Sequence, residues 1–388
     1  MDFAVSQETQ LIVDTVRRFV AKELQPLEAG IEETGVLEPE TARAIFEKSK
    51  ALGLYAMNMP EALGGGGLSA VDMCLVEEQT GRTKDILIRR AFGNVYELLL
   101  ACQGEQRERW LLPAVAGERI VAIAITEPGA GSDAAGIKTR ATADGSAWRL
   151  SGQKHFISDS DFSDFFVVSA VTDPDKGARG ISLFLVDKDV PGFTVGREQP
   201  MMGQRGTSHK ELFLDDVRLG PEHMLGEPGR GLKLILETLG RVRLAQIGAR
   251  AVGMSSHILE LMTDYAANRQ QFGQPIGDFQ MIQTMLADSA IEITGARLML
   301  LNAAWDLDQG RPAREKISMV KVCAAETYNR VADRAVQIFG GMGYVKDLPL
   351  ERYYRDSRVF RIYDGTSEIH RTVVARALLK SGPGFLDL

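Results

Sequence analysis

The spacing of apolar residues predicts helices in the first part of the chain. From Ser6 onward, apolar residues recur at mostly helical intervals with charged residues between them. A second helix is predicted over residues 38–51, and it ends at a leucine-glycine pair that suits a helix C-cap. Ser69 is placed to cap a third helix that runs to Glu78. The segment up to about residue 117 is therefore predicted to be helical.

A different pattern begins after Gly117. Short apolar runs rich in β-branched and aromatic residues follow one another, separated by Gly, Pro and Asp. The runs cover residues 121–126, 148–151, 165–171, 181–186 and 211–214. Because no helical segment lies between them, they predict an antiparallel sheet or barrel and not a parallel β–α–β arrangement.

Beyond Gly231 the helical period returns and persists. Residues 231–268 contain no proline, which permits one helix of roughly 55 Å. Residues 278–309 and 312–339 predict two more helices, and helices of this length usually pack as a bundle. The order of elements predicts an α+β protein with three domains. Their boundaries are a helical domain at 1–117, a β domain at 118–226 and a helical bundle at 227–388.

The composition excludes several classes of protein. Of the 388 residues, 45% are hydrophobic and 25% charged, as in globular proteins. The net charge of −7 argues against nucleic-acid binding and against a polybasic membrane anchor. No apolar run reaches the roughly 18 residues that span a bilayer, and the acidic N-terminus has no secretory signal. We therefore expect a cytoplasmic protein without a membrane span.

Cysteines and histidines are too few and too scattered for thiol or metal chemistry. The three cysteines, Cys74, Cys102 and Cys323, lie far apart and form no CxxC pair. None of the five histidines has a metal-ligand spacing to another. The sequence thus predicts no disulfide framework and no metal site, and acidic residues and glycines remain for chemistry.

The strongest local motif leaves the first predicted strand and enters a glycine-rich turn, TEPGAGSD at residues 126–133. Such a turn exposes backbone N–H groups that can face a phosphate or the edge of a flavin. Its glycines do not match the GxGxxG dinucleotide fingerprint, and no strand–helix unit follows. A tight β-turn without a ligand is the alternative.

A second motif, YDGTSE at residues 363–368, places a carboxylate just before a helix. Gly365 interrupts the helical pattern, and Thr366 or Ser367 can cap the helix that follows. Asp364 is then either a catalytic carboxylate or a helix-capping one.

Two further motifs end long helices. RQQFG at residues 269–273 offers an arginine that can reach an anion, or merely a solvated helix end. QIFGGMG at residues 337–343 ends a helix in glycines, which permits close approach of a ligand or serves only as a C-cap.

Together these four segments resemble signatures of the acyl-CoA dehydrogenase family, in the family's order and across nearly the whole chain. The resemblance implies an N-terminal helical domain, a middle antiparallel β domain and a C-terminal four-helix bundle. It also implies FAD between the β domain and the bundle, an acyl-CoA substrate and a homotetramer or homodimer. An electron-transfer flavoprotein is the electron acceptor that the resemblance implies.

The family's reaction oxidises a thioester between its α and β carbons. A carboxylate removes the α-proton and a hydride passes from the β-carbon to the flavin. The resemblance assigns the carboxylate to Asp364, where the family usually has Glu. Asp is one methylene shorter, and a misplacement of about 1 Å can lower a rate on the order of 10²-fold. Some relatives carry their base on the first long helix after the β domain, but that position is Gly240 here.

The resemblance also assigns binding residues. Those matched to FAD contacts are Thr126, Phe156, Ser158, Thr366, Arg269, Phe272, Gln337, Gly340 and Gly341, the last five toward the FAD of a neighbouring subunit. Ser132 matches a CoA contact. Arg241 matches an arginine near the CoA chain and the base, and a structural helix arginine is its alternative.

Arg89 and Arg90 lie in a segment that is mostly apolar in the family, where it lines the acyl pocket. A guanidinium there can recognise an anionic or polar acyl tail, and the alternative is that both arginines face solvent or a subunit interface. Two other functions stay open. One is a nitroalkane-oxidase-like or other oxygen-using flavoenzyme, a branch that also has Asp at the base position. The other is a non-catalytic flavin-binding assembly partner.

Overall fold

The computed structural model describes residues 4–386 and begins with helices, as the apolar spacing predicts. The helices before the sheet are α1 (Gln7–Phe19), α2 (Glu28–Thr34), α3 (Pro39–Ala51), α4 (Ala70–Thr80), α5 (Asp85–Phe92) and α6 (Leu112–Ala116). The hydroxyl of Ser6 accepts a hydrogen bond from Thr9 N, and Ser69 accepts one from Asp72 N. Both serines therefore cap helices in the way their sequence context predicts.

An eight-stranded sheet follows. Its strands are β1 (Val121–Ala124), β2 (Arg140–Asp144), β3 (Ala147–Ser158), β4 (Phe165–Val171), β5 (Ile181–Asp187), β6 (Phe193–Glu198), β7 (His209–Leu219) and β8 (Met224–Leu225). The spatial order is β6-β7-β3-β2-β4-β5-β8, and β1 pairs with β4.

The sheet is mixed, which corrects the expectation of antiparallel pairing throughout. β1 runs parallel to β4, from Val121 opposite Phe165 to Ala124 opposite Val168, and β2 meets β4 in parallel at one position. All other strand pairs of this sheet are antiparallel. The β2–β3 hairpin lies between β1 and β4 in the sequence. It brings the chain back to the end of the sheet at which β1 begins, so β4 can run in the same direction as β1.

The centre of the sheet is buried on both faces. Every residue of β5, and all but the last of β4, is buried, so neither strand alternates between apolar and polar residues. One face of β4 and β5 packs against other residues of the sheet, such as Leu150 and Leu212. The other face packs against Trp110 of the N-terminal part. Helical structure therefore covers one face of these strands and the sheet's own residues cover the other, and such double burial is typical of strands with near-continuous apolar runs.

Helices again make up the last part of the chain. They are α7 (Gly231–Val242), α8 (Arg250–Asn268), α9 (Gln280–Asp308), α10 (Arg314–Phe339), α11 (Gly341–Tyr344), α12 (Leu350–Val359) and α13 (Ser367–Ser381). A π-helical segment, Arg243–Ala249, joins α7 to α8, so residues 231–268 form the continuous helix that the sequence predicts. Helix α10 packs against α8, α9, α12 and α13 and is the centre of this bundle. No helix within residues 4–386 is long and apolar enough to cross a membrane.

The N-terminal helices are locked onto the bundle. A Cβ added at Gly253 on α8 would lie 1.9 Å from the Glu78 carbonyl oxygen on α4, so only glycine permits this approach. The Asp308 carboxylate at the end of α9 accepts hydrogen bonds from the first two N–H groups of α4, at 2.7 and 3.0 Å. These contacts bring α4 next to the π-helical segment, near which the candidate site lies.

Candidate active site

Asp364 lies in a tight turn between α12 and α13. Its φ of +52° is in the left-handed region, and the next residue, Gly365, has a φ of +95°. The helix after the turn is capped by Thr366, whose hydroxyl accepts from Ile369 N at 3.2 Å. The capping function is thus carried by Thr366, and the Asp364 carboxylate is left for another purpose.

The backbone of Asp364 is bound while its carboxylate is not. The carbonyl oxygen accepts hydrogen bonds from Arg243 Nε at 2.7 Å and from His370 Nε2 at 3.2 Å. Within residues 4–386 the carboxylate makes no hydrogen bond and no ion pair. Burial raises the pKa of Asp364 above its usual value, and the charges of Arg243, Lys321 and Arg89 oppose that rise. The result is a carboxylate with free acceptor oxygens and an increased proton affinity, as a general base needs.

Lys321 on α10 is a second unusual charge near this turn. Its side chain is fully buried, and its Nζ has no hydrogen-bond partner in the described part of the chain. Burial lowers the pKa of Lys321 to about 8, and the charge of Asp364 acts in the opposite direction. The lysine therefore places a cation, or a proton donor, inside the protein beside the carboxylate.

Arg89 borders the same space from α5. Its Nε lies 2.5 Å from Asp85 Oδ2, and Arg250 reaches the other oxygen of Asp85 at 3.1 Å. Burial raises the pKa of Asp85, but the two arginines outweigh burial and the pKa is lowered. The positive charge of Arg89 also acts to lower the pKa of Asp364, Tyr96 and His209.

Arg90, the next residue, points elsewhere. It forms a buried ion pair with Asp159, and its guanidinium carbon lies 4.4 Å from the centre of the Phe162 ring. Since both Arg89 and Arg90 have largely buried side chains, the alternative that both face solvent is wrong. Arg90 connects α5 to the turn after β3, a position that favours structural support over substrate contact.

Three residues matched to flavin contacts share one edge of the sheet. His155 N donates to the Thr126 carbonyl at 2.8 Å, which sets Thr126 beside Phe156. An irregularity in the β3–β7 pairing falls between Lys154 and Ile157, and there Phe156 takes a φ of +58° and is 51% exposed. Ser158 lies opposite His209 in the same pairing.

Glu127 holds the glycine-rich turn beside this edge. Its carboxylate accepts from the backbone N–H groups of Lys138 and Thr139 at 2.6 and 3.0 Å. It also pairs with fully buried Lys154 at 2.8 Å. Burial lowers the pKa of Lys154 to about 8, although Glu127 opposes the shift. Ser132 is exposed on this turn, so its predicted contact with CoA meets no steric obstacle.

The residues matched to a neighbouring subunit's FAD all lie on the surface. Arg269 and Phe272 belong to a hairpin formed by β9 (Gln270–Gln271) and β10 (Gln274–Pro275), and the Phe272 ring is 95% exposed. The other three are Gln337, Gly340 and Gly341 at the end of α10, all exposed. None of the five is hydrogen-bonded or ion-paired to the Asp364 turn within residues 4–386. Their contact with another subunit stays a prediction.

The structure gives Arg241 and Arg243 different surroundings. Arg241 is exposed and lines a cavity of about 50 Å³ with residues of α4 and α5, whereas Arg243 binds the Asp364 turn. Sequence reasoning missed Arg243, Lys321 and His370. A signal existed for two of them: His370 lies two residues after the YDGTSE motif, and Lys321 interrupts an apolar run on α10. For Arg243 a single sequence offers no such mark.

The residues at the sheet edge fit a flavin. The hydroxyls of Thr126 and Ser158 bond to no other group within residues 4–386, and the Phe156 ring between them offers an apolar wall. A Cβ added at Gly129 or Gly131 would meet no atom within 4 Å, so the turn is open to a ligand. Among the described residues no cluster of His, Cys, Asp and Glu could hold a metal ion. A helical–β–helical fold with this edge and a free carboxylate defines a class of flavin-dependent oxidoreductases.

Comparison with known proteins narrows the class to a family. Three family profiles match the chain: acyl-CoA dehydrogenase N-terminal domain at residues 6–118, middle domain at 122–217 and C-terminal domain at 229–379. The chain belongs to the acyl-CoA dehydrogenase family. It is an oxidoreductase that acts on acyl-CoA, and its cofactor is FAD.

Three relatives illustrate the similarity. The mitochondrial short-chain specific acyl-CoA dehydrogenase of Bos taurus is 39% identical over 376 residues, covering 96% of this chain and 90% of the relative. Butyryl-CoA dehydrogenase from Megasphaera elsdenii is 33% identical with a TM-score of 0.90, covering 98% of this chain and all of that one. The FAD complex of PigA is 28% identical with a TM-score of 0.89, covering 97% and 99%.

Proposed function

We propose that this enzyme dehydrogenates an acyl-CoA between the α and β carbons and that Asp364 is the base. The observation that carries the proposal is the state of Asp364: its backbone is fixed by two donors, while its carboxylate is unpaired and its pKa raised. A carboxylate serving only the fold would be engaged by a helix cap or an ion pair, and this one is not.

In the proposed reaction the chain's own groups handle the proton. The Asp364 carboxylate accepts the α-proton of the thioester and becomes a neutral carboxylic acid. Thr126 and Ser158 would hold FAD by hydrogen bonds with Phe156 packed against it, and the bound cofactor would supply the acceptor for the hydride of the β-carbon. Burial of the Asp364 side chain keeps the pKa of the base raised.

We propose a short acyl chain or one with a polar end, because charged groups border the space beside the base. Arg89 and Asp85 form an ion pair there, and Arg250 extends it. A long aliphatic tail would strip water from these charges without replacing its hydrogen bonds. The names of two relatives, a short-chain and a butyryl-CoA dehydrogenase, agree with this size. Of the two arginines, only Arg89 is proposed to contact substrate.

The proposed assembly is a homotetramer or homodimer in which the exposed hairpin and the end of α10 contact the FAD of a neighbouring subunit. Ser132 and Arg241 are proposed to contact CoA from the surface. An electron-transfer flavoprotein is the proposed electron acceptor, and the proposed compartment is the cytoplasm.

The experiment is anaerobic titration of the FAD-loaded enzyme with a panel of acyl-CoA thioesters, followed by flavin absorbance. The panel holds short straight-chain, long straight-chain, branched and dicarboxylyl thioesters. We expect bleaching by short or polar-ended thioesters. In Asp364→Asn, which keeps the side-chain shape and tolerates a positive φ, the rate should fall about 10²–10⁴-fold with FAD still bound.

The titration and a parallel nitroalkane assay contain the outcomes that contradict the proposal. Bleaching by Asp364→Asn at the wild-type rate would show that another group takes the proton. Bleaching by a nitroalkane with peroxide release in air, and by no thioester, would favour an oxygen-using flavoenzyme.

A further inference from the structure

The turn that carries Asp364 has a backbone conformation that its sequence does not favour by itself. Asp364 and Gly365 have consecutive positive φ angles, and a non-glycine residue in that region persists only where its surroundings hold it. Two donors do so here, because Arg243 and His370 both bind the Asp364 carbonyl oxygen. They fix the plane of the peptide that follows Asp364.

His370 can donate to this carbonyl in one neutral tautomer only. A carbonyl oxygen accepts, so Nε2 must carry the proton and Nδ1 must present its lone pair. The Oγ of Ser318 on α10 lies 3.1 Å from Nδ1, and its hydroxyl donates to the Arg314 carbonyl oxygen at 3.0 Å. Burial lowers the pKa of His370 to about 4, and Arg243 acts in the same direction, so the ring is neutral near pH 7. The Asp364 carbonyl oxygen therefore selects the tautomer with the proton on Nε2, and Ser318 contacts the other ring nitrogen.

The ring and the turn fit closely. His370 is buried, and a Cβ added at Gly365 would lie 2.8 Å from Nε2. Any side chain at residue 365 would push the ring away from the carbonyl. Gly365 thus serves both the backbone angle and the contact with His370.

The position of an aspartate carboxylate follows its backbone more closely than that of a glutamate. Aspartate has two side-chain torsions and glutamate has three, so a tilt of the Asp364 backbone cannot be corrected further along the side chain. No hydrogen bond within residues 4–386 holds the carboxylate itself. The direction of the base must then be set through the peptide that His370 and Arg243 hold.

We infer that His370, in the tautomer with the proton on Nε2, is a positioning residue that directs the Asp364 carboxylate toward the substrate. The inference deepens the proposed function and rests on it. Arg243 shares the same carbonyl, but its removal would also change the charge beside Asp364. His370 is neutral, so substituting it tests position without changing charge.

The test compares His370→Leu with His370→Gln in the FAD-loaded enzyme. Leucine fills space but donates nothing, whereas glutamine can place an N–H near the Nε2 position. We expect His370→Leu to lower the limiting rate of flavin reduction about 10- to 100-fold, as for a misplacement near 1 Å. The dissociation constant for the thioester and the midpoint of the acidic limb of the pH profile should not change. His370→Gln should recover most of the rate.

A second readout does not depend on activity. Hydrogen–deuterium exchange of the peptide covering residues 361–370 should be faster in His370→Leu and near wild type in His370→Gln. Wild-type rate and exchange in His370→Leu would overturn the inference, as would equal loss of rate in both variants. If no thioester bleaches the wild-type enzyme, or if Asp364→Asn keeps the wild-type rate, the proposed function fails instead. The exchange data would still show whether His370 holds the Asp364 turn.

Should His370→Leu fail to fold, Ser318→Ala replaces it, because it removes the contact on the Nδ1 side of the His370 ring. Its matched control is Ser255→Ala, since Ser255 is also a buried helix serine that bonds the carbonyl four residues earlier. A slower rate and faster exchange in Ser318→Ala than in Ser255→Ala would support the inference. Equal values in the two variants would overturn it.

Discussion

At the scale of single residues, the site depends on which charges are paired and which are free. Glu127 and Lys154, and Asp85 with its two arginines, are fully engaged in the structure. Asp364 and Lys321 are buried to different degrees but unpaired. Because an unpaired buried charge costs stability, its presence beside the cofactor edge is better explained by chemistry than by folding.

The raised pKa of Asp364 predicts the pH dependence of the reaction. Only the deprotonated carboxylate can accept the α-proton, so kcat/KM should fall as the pH drops through the pKa of Asp364. That midpoint should lie above the value of about 3.9 for an unperturbed Asp. The measurement is kcat/KM between pH 4 and 9 with one thioester. An acidic limb that persists with the same midpoint in Asp364→Asn would assign it to another group.

The sequence predicts the site unevenly at this scale. Thr126 and Asp364 lie in local motifs, and Ser158 follows from the family resemblance. Arg243 and Lys321 were not, because their roles arise from helices that meet only in the folded chain. The sequence of one helix does not show which residues of another helix pack against it.

At the scale of elements, the apolar period predicts the long helices and the strands β1, β4 and β5 within a few residues, and only part of β3 and β7. It misses β2 and β6, whose residues are largely exposed and polar, and α12, whose sequence is dominated by charge. The parallel pairing of β1 with β4 also escapes it, because strand direction depends on the route of the chain and not on local composition.

Helix α5 gives a prediction that separates its two arginines. Arg90→Met leaves Asp159 buried and unpaired, and this should lower the free energy of unfolding by about 3–5 kcal/mol. In the double variant Arg90→Met/Asp159→Asn the loss should be smaller than the sum of the two single losses. Thermal and urea unfolding of the four proteins measure this.

The control is Arg89→Met, which should alter the preference among thioesters of the panel. Arg90→Met should leave that preference unchanged. Additive losses of stability, or a shifted preference in Arg90→Met, would contradict the structural role of Arg90.

At the scale of the whole molecule, the surface shows where further contacts are expected. Large apolar side chains are exposed on the hairpin and along α9, notably Phe272, Met281 and Ile291. Such residues in a charged, acidic protein are typical of surfaces that a partner covers. The proposed contact of Phe272 with the FAD of a neighbouring subunit offers a direct test.

We expect Phe272→Ser to lower the ratio of FAD to protein and to shift the enzyme toward smaller assemblies. The fold of each chain should be unaffected, because the ring is exposed apart from an edge contact with Phe279. Absorbance spectra give the FAD content and light scattering gives the mass. The matched control is Leu11→Ser on α1, also an exposed apolar residue. Equal FAD content and mass in the two variants would argue against the predicted contact.

The double burial of β4 and β5 has a consequence for synthesis on the ribosome. One face of these strands packs with Trp110, which precedes them, and with Ile235 of α7, which follows the sheet. The strands therefore leave the ribosome before all of their cover exists. Until α7 emerges, the growing chain presents an apolar sheet surface of the kind that chaperones protect. A chain cut before Gly231 should aggregate, although it would contain every strand of the large sheet.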